Sequence, residues 1–159
     1  MAHYAWVDKD NKVVNLSVVK DENNMKDGVE DEATGQAYLM EVHKERDFVK
    51  NGGKFIKYSL NTRRNKHYNE NELSDTQEKA FRGNAAQRGG TWDPENNIFI
   101  PVKPEGCDSW TYNYEEFEWR APVDPTDEQK ENFNKWGMYW VEETQEWKED
   151  PIIKGSSEE

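Results

Sequence analysis

The pattern of apolar and polar residues begins with a β-hairpin. Residues 4–7 (YAWV) and 12–19 (KVVNLSVV) are rich in β-branched and aromatic side chains, as strands are. Residues 8–11 (DKDN) between them have the composition of a turn. The chain is therefore expected to open with two antiparallel strands.

A helix and a further strand are predicted next. Residues 30–46 contain good helix formers, and despite Gly35 they place one set of residues on a common face: Ala33, Ala37, Met40 and Lys44, with Tyr38, Leu39 and Val42 nearby. Residues 51–53 (NGG) break this pattern, and residues 54–60 (KFIKYSL) predict a strand.

The segment that follows is polar. Residues 61–74 predict a loop, and Ser74 with Gln77 has the spacing of a capping box ahead of one or two helical turns at 78–82. Beyond residue 90 aromatic pairs, acidic turns and prolines dominate. We therefore predict an N-terminal module over residues 1–90, a second module over 91–151 and a flexible acidic tail over 152–159.

Four pairs of apolar residues share a spacing of seven: Trp6 with Val13, Trp92 with Phe99, Trp110 with Phe117, and Trp140 with Trp147. Residues seven apart face one another across a hairpin with a two-residue turn, so each pair predicts two side chains on one face of a ribbon. Around Trp110 a second register is open, with Trp110 opposite Trp119 and Tyr112 opposite Phe117.

These ribbons define the expected fold class, which is α+β and mainly β: an N-terminal hairpin with a short helix, followed by serial aromatic hairpins. Isolated hairpins are marginally stable in water unless strands pack together or against a partner. Prolines, which do not donate to a sheet ladder, separate the ribbons: Pro101, Pro104, Pro122, Pro125 and Pro151. The rings are expected to form a small core, an interface, or both.

Charge and composition restrict the partners. The 33 acidic and 21 basic residues give a net charge of −12, which disfavours a nucleic-acid backbone or an anionic membrane surface as partner. The middle segment, residues 50–90, is positive between two negative ends. No apolar run approaches the length of a membrane span, no secretory signal is evident, and the single Cys107 precludes an internal disulfide.

No residue pattern typical of catalysis, cofactor binding or metal binding is present, and none is predicted. His3, His43 and His67 are far apart in sequence, and Cys107 has no neighbour at zinc-ligand spacing. Residues 8–11 open like a calcium loop, but Val13 and Val19 stand where Gly and Glu are required. Arg63 and Arg64 start a basic cluster at 63–68, which we interpret as a charge partner within or between subunits.

Several motifs resemble a family of small proteins from marine tailed phages, especially those that infect cyanobacteria. They include residues 58–63 (YSLNTR), 80–85 (AFRGNA), 99–104 (FIPVKP) and 119–123 (WRAPV). Residues 1–5 (MAHYA), 67–68, 91–93, 109–110, 138–140 and 144–147 fit as well. The family has an aromatic residue where Ala85 stands and a glycine-rich run near residues 87–90. The resemblance implies a virion or structural protein, and it carries over no catalytic or metal-ligand residue.

The sequence therefore predicts a non-enzymatic virion protein, made in the host cytoplasm, that binds phage structural proteins. The expected role is a capsid decoration or cement-like subunit on the major capsid protein, with homo-oligomerisation possible. The alternative is a tail- or fibre-associated adhesion module that binds host-surface glycan. The predicted interface residues are Trp92, Phe99, Trp110, Tyr112, Phe117, Trp119, Trp140, Trp147, Arg63 and Arg64.

Overall fold

The computed structural model describes residues 1–133 and 137–149, so the predicted tail at 152–159 lies outside the described residues. The strands are β1 (Ala2–Val7), β2 (Val13–Val19), β3 (Met25–Lys26), β4 (Val29–Glu30), β5 (Lys54–Tyr58), β6 (Thr62–Arg63), β7 (Lys66–Asn69), β8 (Glu72–Leu73), β9 (Thr91–Asp93), β10 (Ile98–Ile100), β11 (Thr111–Asn113), β12 (Glu118–Arg120), β13 (Met138–Val141) and β14 (Glu146–Glu149). The helices are α1 (Glu32–Val42), α2 (Asp47–Lys50) and α3 (Asp127–Asn132), with a 3-10 turn at Asp21–Asn23. The predicted class, α+β and mainly β, is confirmed.

The chain divides into two compact units. Unit 1 comprises Met1–Val102 and Tyr114–Glu118, and unit 2 comprises Lys103–Asn113 and Trp119–Glu159. The boundary predicted near residue 90 falls inside unit 1, which includes the β9–β10 hairpin.

Unit 1 is organised around a three-stranded antiparallel sheet in the order β2-β1-β5. The predicted N-terminal hairpin supplies β1 and β2. Its turn is held by Asp8, whose Oδ1 accepts hydrogen bonds from the backbone N–H groups of Asp10 and Lys12, both at 2.9 Å. Short polar side chains stabilise turns in this way, which explains why this part of the prediction succeeds.

The predicted pairing of Trp6 with Val13 is wrong. Trp6 lies opposite Asn15, Val13 lies opposite Val7, and the register shifts between them. The extra residue, Val14, forms a β-bulge beside a turn longer than two residues. Because side chains alternate across a strand, this shift places Trp6 and Val13 on opposite faces of the sheet.

Each face of the sheet carries its own core. Ala5, Val7 and Val13 pack with Tyr58, Ala86, Trp92 and Phe99 on one face. Ala2, Tyr4 and Trp6 pack with Val19, Leu39 and Phe55 on the other. Aromatic rings contribute to both cores, so few aliphatic side chains are needed to bury the sheet.

Helix α1 is shorter than the predicted 30–46 and buries a different face. Ala33, Ala37 and Met40 are exposed, whereas Gly35 and Leu39 are buried. A Cβ atom at Gly35 would overlap the Tyr4 hydroxyl and the Asn24 side chain, so the missing side chain is what lets the helix approach the sheet. Tyr4 donates a hydrogen bond to the buried Asn24. The glycine that seemed unfavourable for a helix marks its contact point.

Residues 61–74 are not a loop, as was predicted, but a small antiparallel sheet in the order β6-β7-β8. Arg64 and Asn65 form a two-residue turn with φ of 49° and 58°, the left-handed conformation of a type I′ hairpin. The polar composition hid these strands because few of their side chains are buried.

The capping box predicted at Ser74 and Gln77 is also wrong, since no helix follows. Ser74 Oγ instead lies 2.7 Å from His67 Nδ1. The Gln77 side chain accepts from His67 N–H at 2.7 Å and donates to His67 C=O at 3.1 Å. The side chains of Ser74 and Gln77 therefore both bond to His67 in β7. Bonds of this kind compete with the capping of a helix.

Three hairpins share one geometry. Trp92 lies opposite Phe99 and Trp140 opposite Trp147, as predicted. In the third hairpin both predicted registers are wrong, because Trp110 precedes β11 and Phe117 lies in the turn, opposite neither Trp110 nor Tyr112. The Tyr112 and Trp119 rings are in contact instead, with centroids 5.4 Å apart, and these two residues are also seven apart.

Candidate protein-interaction site

The rings of unit 2 form a cluster around Trp147. Its centroid lies 5.3 Å from that of Trp140, 5.7 Å from Trp110 and 5.4 Å from Phe133. Strands β13 and β14 place Trp140 and Trp147 opposite one another, and the end of α3 supplies Phe133. Tilted and edge-to-face contacts at these distances are favourable for aromatic pairs. We call these four residues the Trp147 cluster.

A carboxylate ties the cluster together. Glu142 accepts hydrogen bonds from Trp140 Nε1 at 2.6 Å, Ser109 N–H at 2.6 Å and Ser109 Oγ at 2.9 Å. The bond from Trp140, followed by those from Ser109, lowers the pKa of Glu142 below its usual value. Glu142 therefore connects the segment before β11 to the β13–β14 hairpin.

Helix α3 is fixed to the same hairpin. Thr126 and Gln129 form a capping box at its N-terminus, and Gln129 Nε2 also donates to the Trp147 carbonyl at 3.2 Å. Asn132 Nδ2 donates to Glu149 Oε1 at 2.8 Å, and Trp147 Nε1 donates to the Val123 carbonyl at 2.9 Å. The scaffold beneath the rings is thus built from polar contacts.

The rings themselves remain partly accessible. None of Trp110, Trp119, Trp140 and Trp147 is fully buried, and 39% of Phe133 is exposed. Cys107 is the only apolar residue that is buried in the described part of unit 2. The Trp110 indole N–H is buried without a hydrogen-bond partner among the described residues. Unit 2 therefore has aromatic surface that its own described residues do not cover.

Two of the predicted interface residues belong to the core of unit 1. Trp92 is 6% exposed and Phe99 is 1% exposed, with their ring centroids 4.8 Å apart. Tyr58 packs edge-on against Phe99 at 6.2 Å. These residues have almost no surface left for a partner, which corrects their assignment as interface candidates.

Phe117 serves unit 1 in a different way. It sits at the turn position where φ is positive, at 56°, a conformation that bulky residues rarely adopt. Its carbonyl accepts from Asn84 Nδ2 at 3.1 Å, and its ring lies so close to Gly83 that a Cβ there would be 2.9 Å away. The strained turn is held by these tertiary contacts.

The two arginines are exposed but engaged. Arg64 Nη2 lies 2.8 Å from Glu116 Oε2, and Arg64 Nε lies 3.2 Å from Glu118 Oε2. The Arg63 guanidinium lies over the Tyr68 ring, 4.3 Å from its centroid. Arg64 is therefore a charge partner within the chain, one of the two roles expected for the basic cluster.

The remaining predicted residues, Tyr112 and Trp119, form a second and smaller ring pair. Lys103 Nζ lies 5.0 Å from the Trp119 centroid, within range of a cation–π contact. The sequence pattern did not predict Phe133, because it lies at the C-terminal end of α3, outside the seven-residue repeat. Its helical neighbours are polar, so no local pattern indicates it.

Unit 1 also contains a cavity of about 530 Å³, and His3, Lys57, Tyr58, His67 and Phe81 are among the residues that line it. Lys57 is paired with Glu30, another lining residue, at 2.6 Å. Within residues 1–133 and 137–149, no three His, Cys, Asp or Glu side chains are grouped to hold a metal ion. No helix in this part of the chain is both long and apolar enough to cross a membrane.

No family model, curated protein or solved structure is significantly similar to this chain.

Proposed function

We propose that this protein is a non-enzymatic structural subunit of a phage virion, bound to the major capsid protein as a decoration or cement-like protein. The observation that carries the proposal is the partly exposed Trp147 cluster, set on a scaffold of polar contacts in a unit whose described residues include a single buried apolar side chain, Cys107. Aromatic residues on such a surface are frequent anchors of protein interfaces. The motifs that resemble marine phage proteins support the assignment to a phage virion.

The location is tested by mass spectrometry of purified particles of the virus that encodes the chain. The proposal expects the chain in the particle at hundreds of copies. Its absence from particles, with presence in infected lysate, would overturn a virion role. A dozen copies or fewer would place the chain on neck, tail or fibre and would overturn the decoration role.

The binding surface is tested by co-sedimentation of purified protein with capsids that lack it. Phe133→Ala removes the exposed ring of the Trp147 cluster and is expected to weaken binding about tenfold or more, as truncation of an aromatic anchor does. Tyr38→Ala on α1 is the matched control, since 38% of Tyr38 and 39% of Phe133 are exposed. Equal affinity of the two variants would exclude the cluster as the contact.

A glycan-binding adhesion module is the second candidate. The half-buried Trp119 ring beside Lys103 favours it, because an accessible ring flanked by a hydrogen-bond donor suits a sugar. Trp92 is buried in unit 1 and is therefore not accessible to a sugar. A glycan array probed with the folded protein tests this candidate, and an array without signal would eliminate it.

A further inference from the structure

The two edges of the sheet in unit 1 differ in how they are protected. Strand β5 forms one edge, and its outward backbone groups are engaged by side chains. Glu32 Oε1 accepts from Lys57 N–H at 2.9 Å, Gln36 Nε2 donates to Phe55 C=O at 2.8 Å, and Arg82 Nη1 donates to Lys57 C=O at 2.6 Å. Three outward backbone groups of β5 are therefore already bonded to side chains, which opposes pairing with another strand at this edge.

Strand β2 forms the opposite edge, where the backbone of another segment covers only its first residue, and the Arg88 side chain donates to Asn15 Oδ1 at 2.9 Å. Val13 N–H donates to Gly90 C=O at 3.0 Å, and Val13 C=O accepts from Gly89 N–H at 2.8 Å. After the bulge at Val14 the outward positions become Leu16 and Val18. Leu16 N–H is accordingly bonded to the side chain of its own neighbour, Asn15, at 2.9 Å. Within the described part of the chain, no partner covers the outward groups of Val18.

The amino-acid composition of β2 also favours pairing with another strand. Residues 13–19 (VVNLSVV) contain no charged residue, proline or glycine, although the chain has a net charge of −12. Val14 is 48% exposed and Val18 is 55% exposed. Natural edge strands are commonly guarded by charge, proline or a covering element, and an unguarded one is a template for pairing with another strand.

We propose that β2 pairs with β2 of a second copy, antiparallel about a two-fold axis at Ser17, to make one continuous sheet of six strands. The occupant is a second copy because the segment matches itself in the antiparallel direction. An axis at Ser17 sets Leu16 of each copy opposite Val18 of the other, so that apolar side chains meet on one face. It also keeps the partner strand clear of Gly89 and Gly90, which occupy the edge at Val13.

The pairing joins the outward groups of Leu16 and Val18 in about four backbone hydrogen bonds. In two of them the Leu16 N–H of each copy exchanges the Asn15 side chain for the Val18 carbonyl of the other copy. Like charges are absent between residues 13 and 19, so two acidic chains approach here without direct repulsion. The inference does not rest on the capsid role, because it concerns the purified chain alone.

Sedimentation equilibrium of the purified chain tests the association. At roughly 100 µM we expect a dimer, twice the monomer mass of 18.8 kDa. Val18→Lys is expected to weaken it about tenfold or more, since a lysine in the middle of an edge strand opposes pairing. Val42→Lys on α1 is the matched control, as Val42 is also 55% exposed, and it should leave the dimer unchanged. A monomer at this concentration, or equal effects of both variants, would overturn the proposal.

Amide exchange in the wild-type chain gives a second measurement that needs no variant. Protection of Val18 N–H should rise with protein concentration, while that of Lys57 N–H, already bonded to Glu32, stays constant. Mixed labelled and unlabelled copies should give intermolecular contacts between Leu16 and Val18. Protection of Val18 only when capsid protein is added would assign the edge to a strand of that partner and would contradict self-pairing.

Discussion

The Arg82 guanidinium and the Glu32 carboxylate form a two-pronged ion pair, with Nη1–Oε1 at 2.7 Å and Nη2–Oε2 at 3.0 Å. Glu32 begins helix α1, and Arg82 also donates to Lys57 C=O in β5. The guanidinium lies 5.2 Å from the Trp92 centroid, so it contacts the β9–β10 hairpin as well. One side chain therefore connects the helix, the sheet and the hairpin of unit 1.

Arg82→Lys should destabilise unit 1 although the charge is kept. Lysine lacks the planar fork that bonds both Glu32 oxygens and stacks on Trp92. We expect a loss of about 2 kcal/mol in the free energy of unfolding, less than for a fully buried pair because both side chains keep some exposure. Urea unfolding measures it. Lys44→Gln, which removes a surface ion pair with Glu41, is the control and should change stability by less than about 0.5 kcal/mol.

Gly35→Ala should be destabilising even though alanine favours a helix. Alanine gains about 1 kcal/mol of helix propensity over glycine. The added methyl group, however, overlaps the Tyr4 hydroxyl and Asn24 in a buried contact. We expect a net loss of about 2 kcal/mol, since overpacking forces the helix away from the sheet. Ala37→Ser, at an exposed position of the same helix, should be nearly neutral, and a stabilised Gly35→Ala would show that the helix packs elsewhere.

The sequence predicted best those elements that local chemistry determines. The first hairpin is set by the Asp8 turn, and the Trp92–Phe99 and Trp140–Trp147 pairs are set by a recurring turn. Each of these depends on residues less than about ten positions apart, so a short window contains the cause.

The errors arose where distant residues decide the outcome. The buried face of α1 depends on Tyr4, which is far from Gly35 in sequence, and the turn at Phe117 depends on Gly83 and Asn84. The seven-residue spacing likewise does not distinguish rings that are buried in a core from rings that stay partly exposed. Trp92 and Trp140 have the same repeat, but only Trp92 is packed against a sheet.

Gln145→Gly should stabilise the β13–β14 hairpin. Gln145, the residue before β14, has φ of 52°, and Asn97, at the equivalent position before β10, has φ of 55°. Glycine adopts positive φ without the steric cost that glutamine bears, so we expect a gain of about 0.5–1 kcal/mol in the free energy of unfolding. Thermal unfolding measures it. Thr144→Gly, one residue earlier and not at positive φ, should give no gain.

Glu142 should make the Trp147 cluster sensitive to acid. Hydrogen bonds from Trp140 and Ser109 favour the charged carboxylate, so the pKa of Glu142 in the folded chain lies below the ordinary value of 4.5. The unfolded state then binds more protons, and the stabilisation is complete above that ordinary value and is lost as pH falls through the folded pKa. Circular dichroism of the coupled indoles should show the cluster melting at a lower temperature at pH 4 than at pH 7.

Glu142→Gln separates this cause from general acid effects, because glutamine cannot titrate. The variant should melt earlier than the wild type at pH 7, since one charged acceptor is lost to Trp140 and Ser109. Its melting temperature should also change less between pH 7 and pH 4. Glu143→Gln, in the same turn and exposed, should retain the wild-type pH dependence. If both variants kept that dependence, another carboxylate would be responsible for the acid sensitivity.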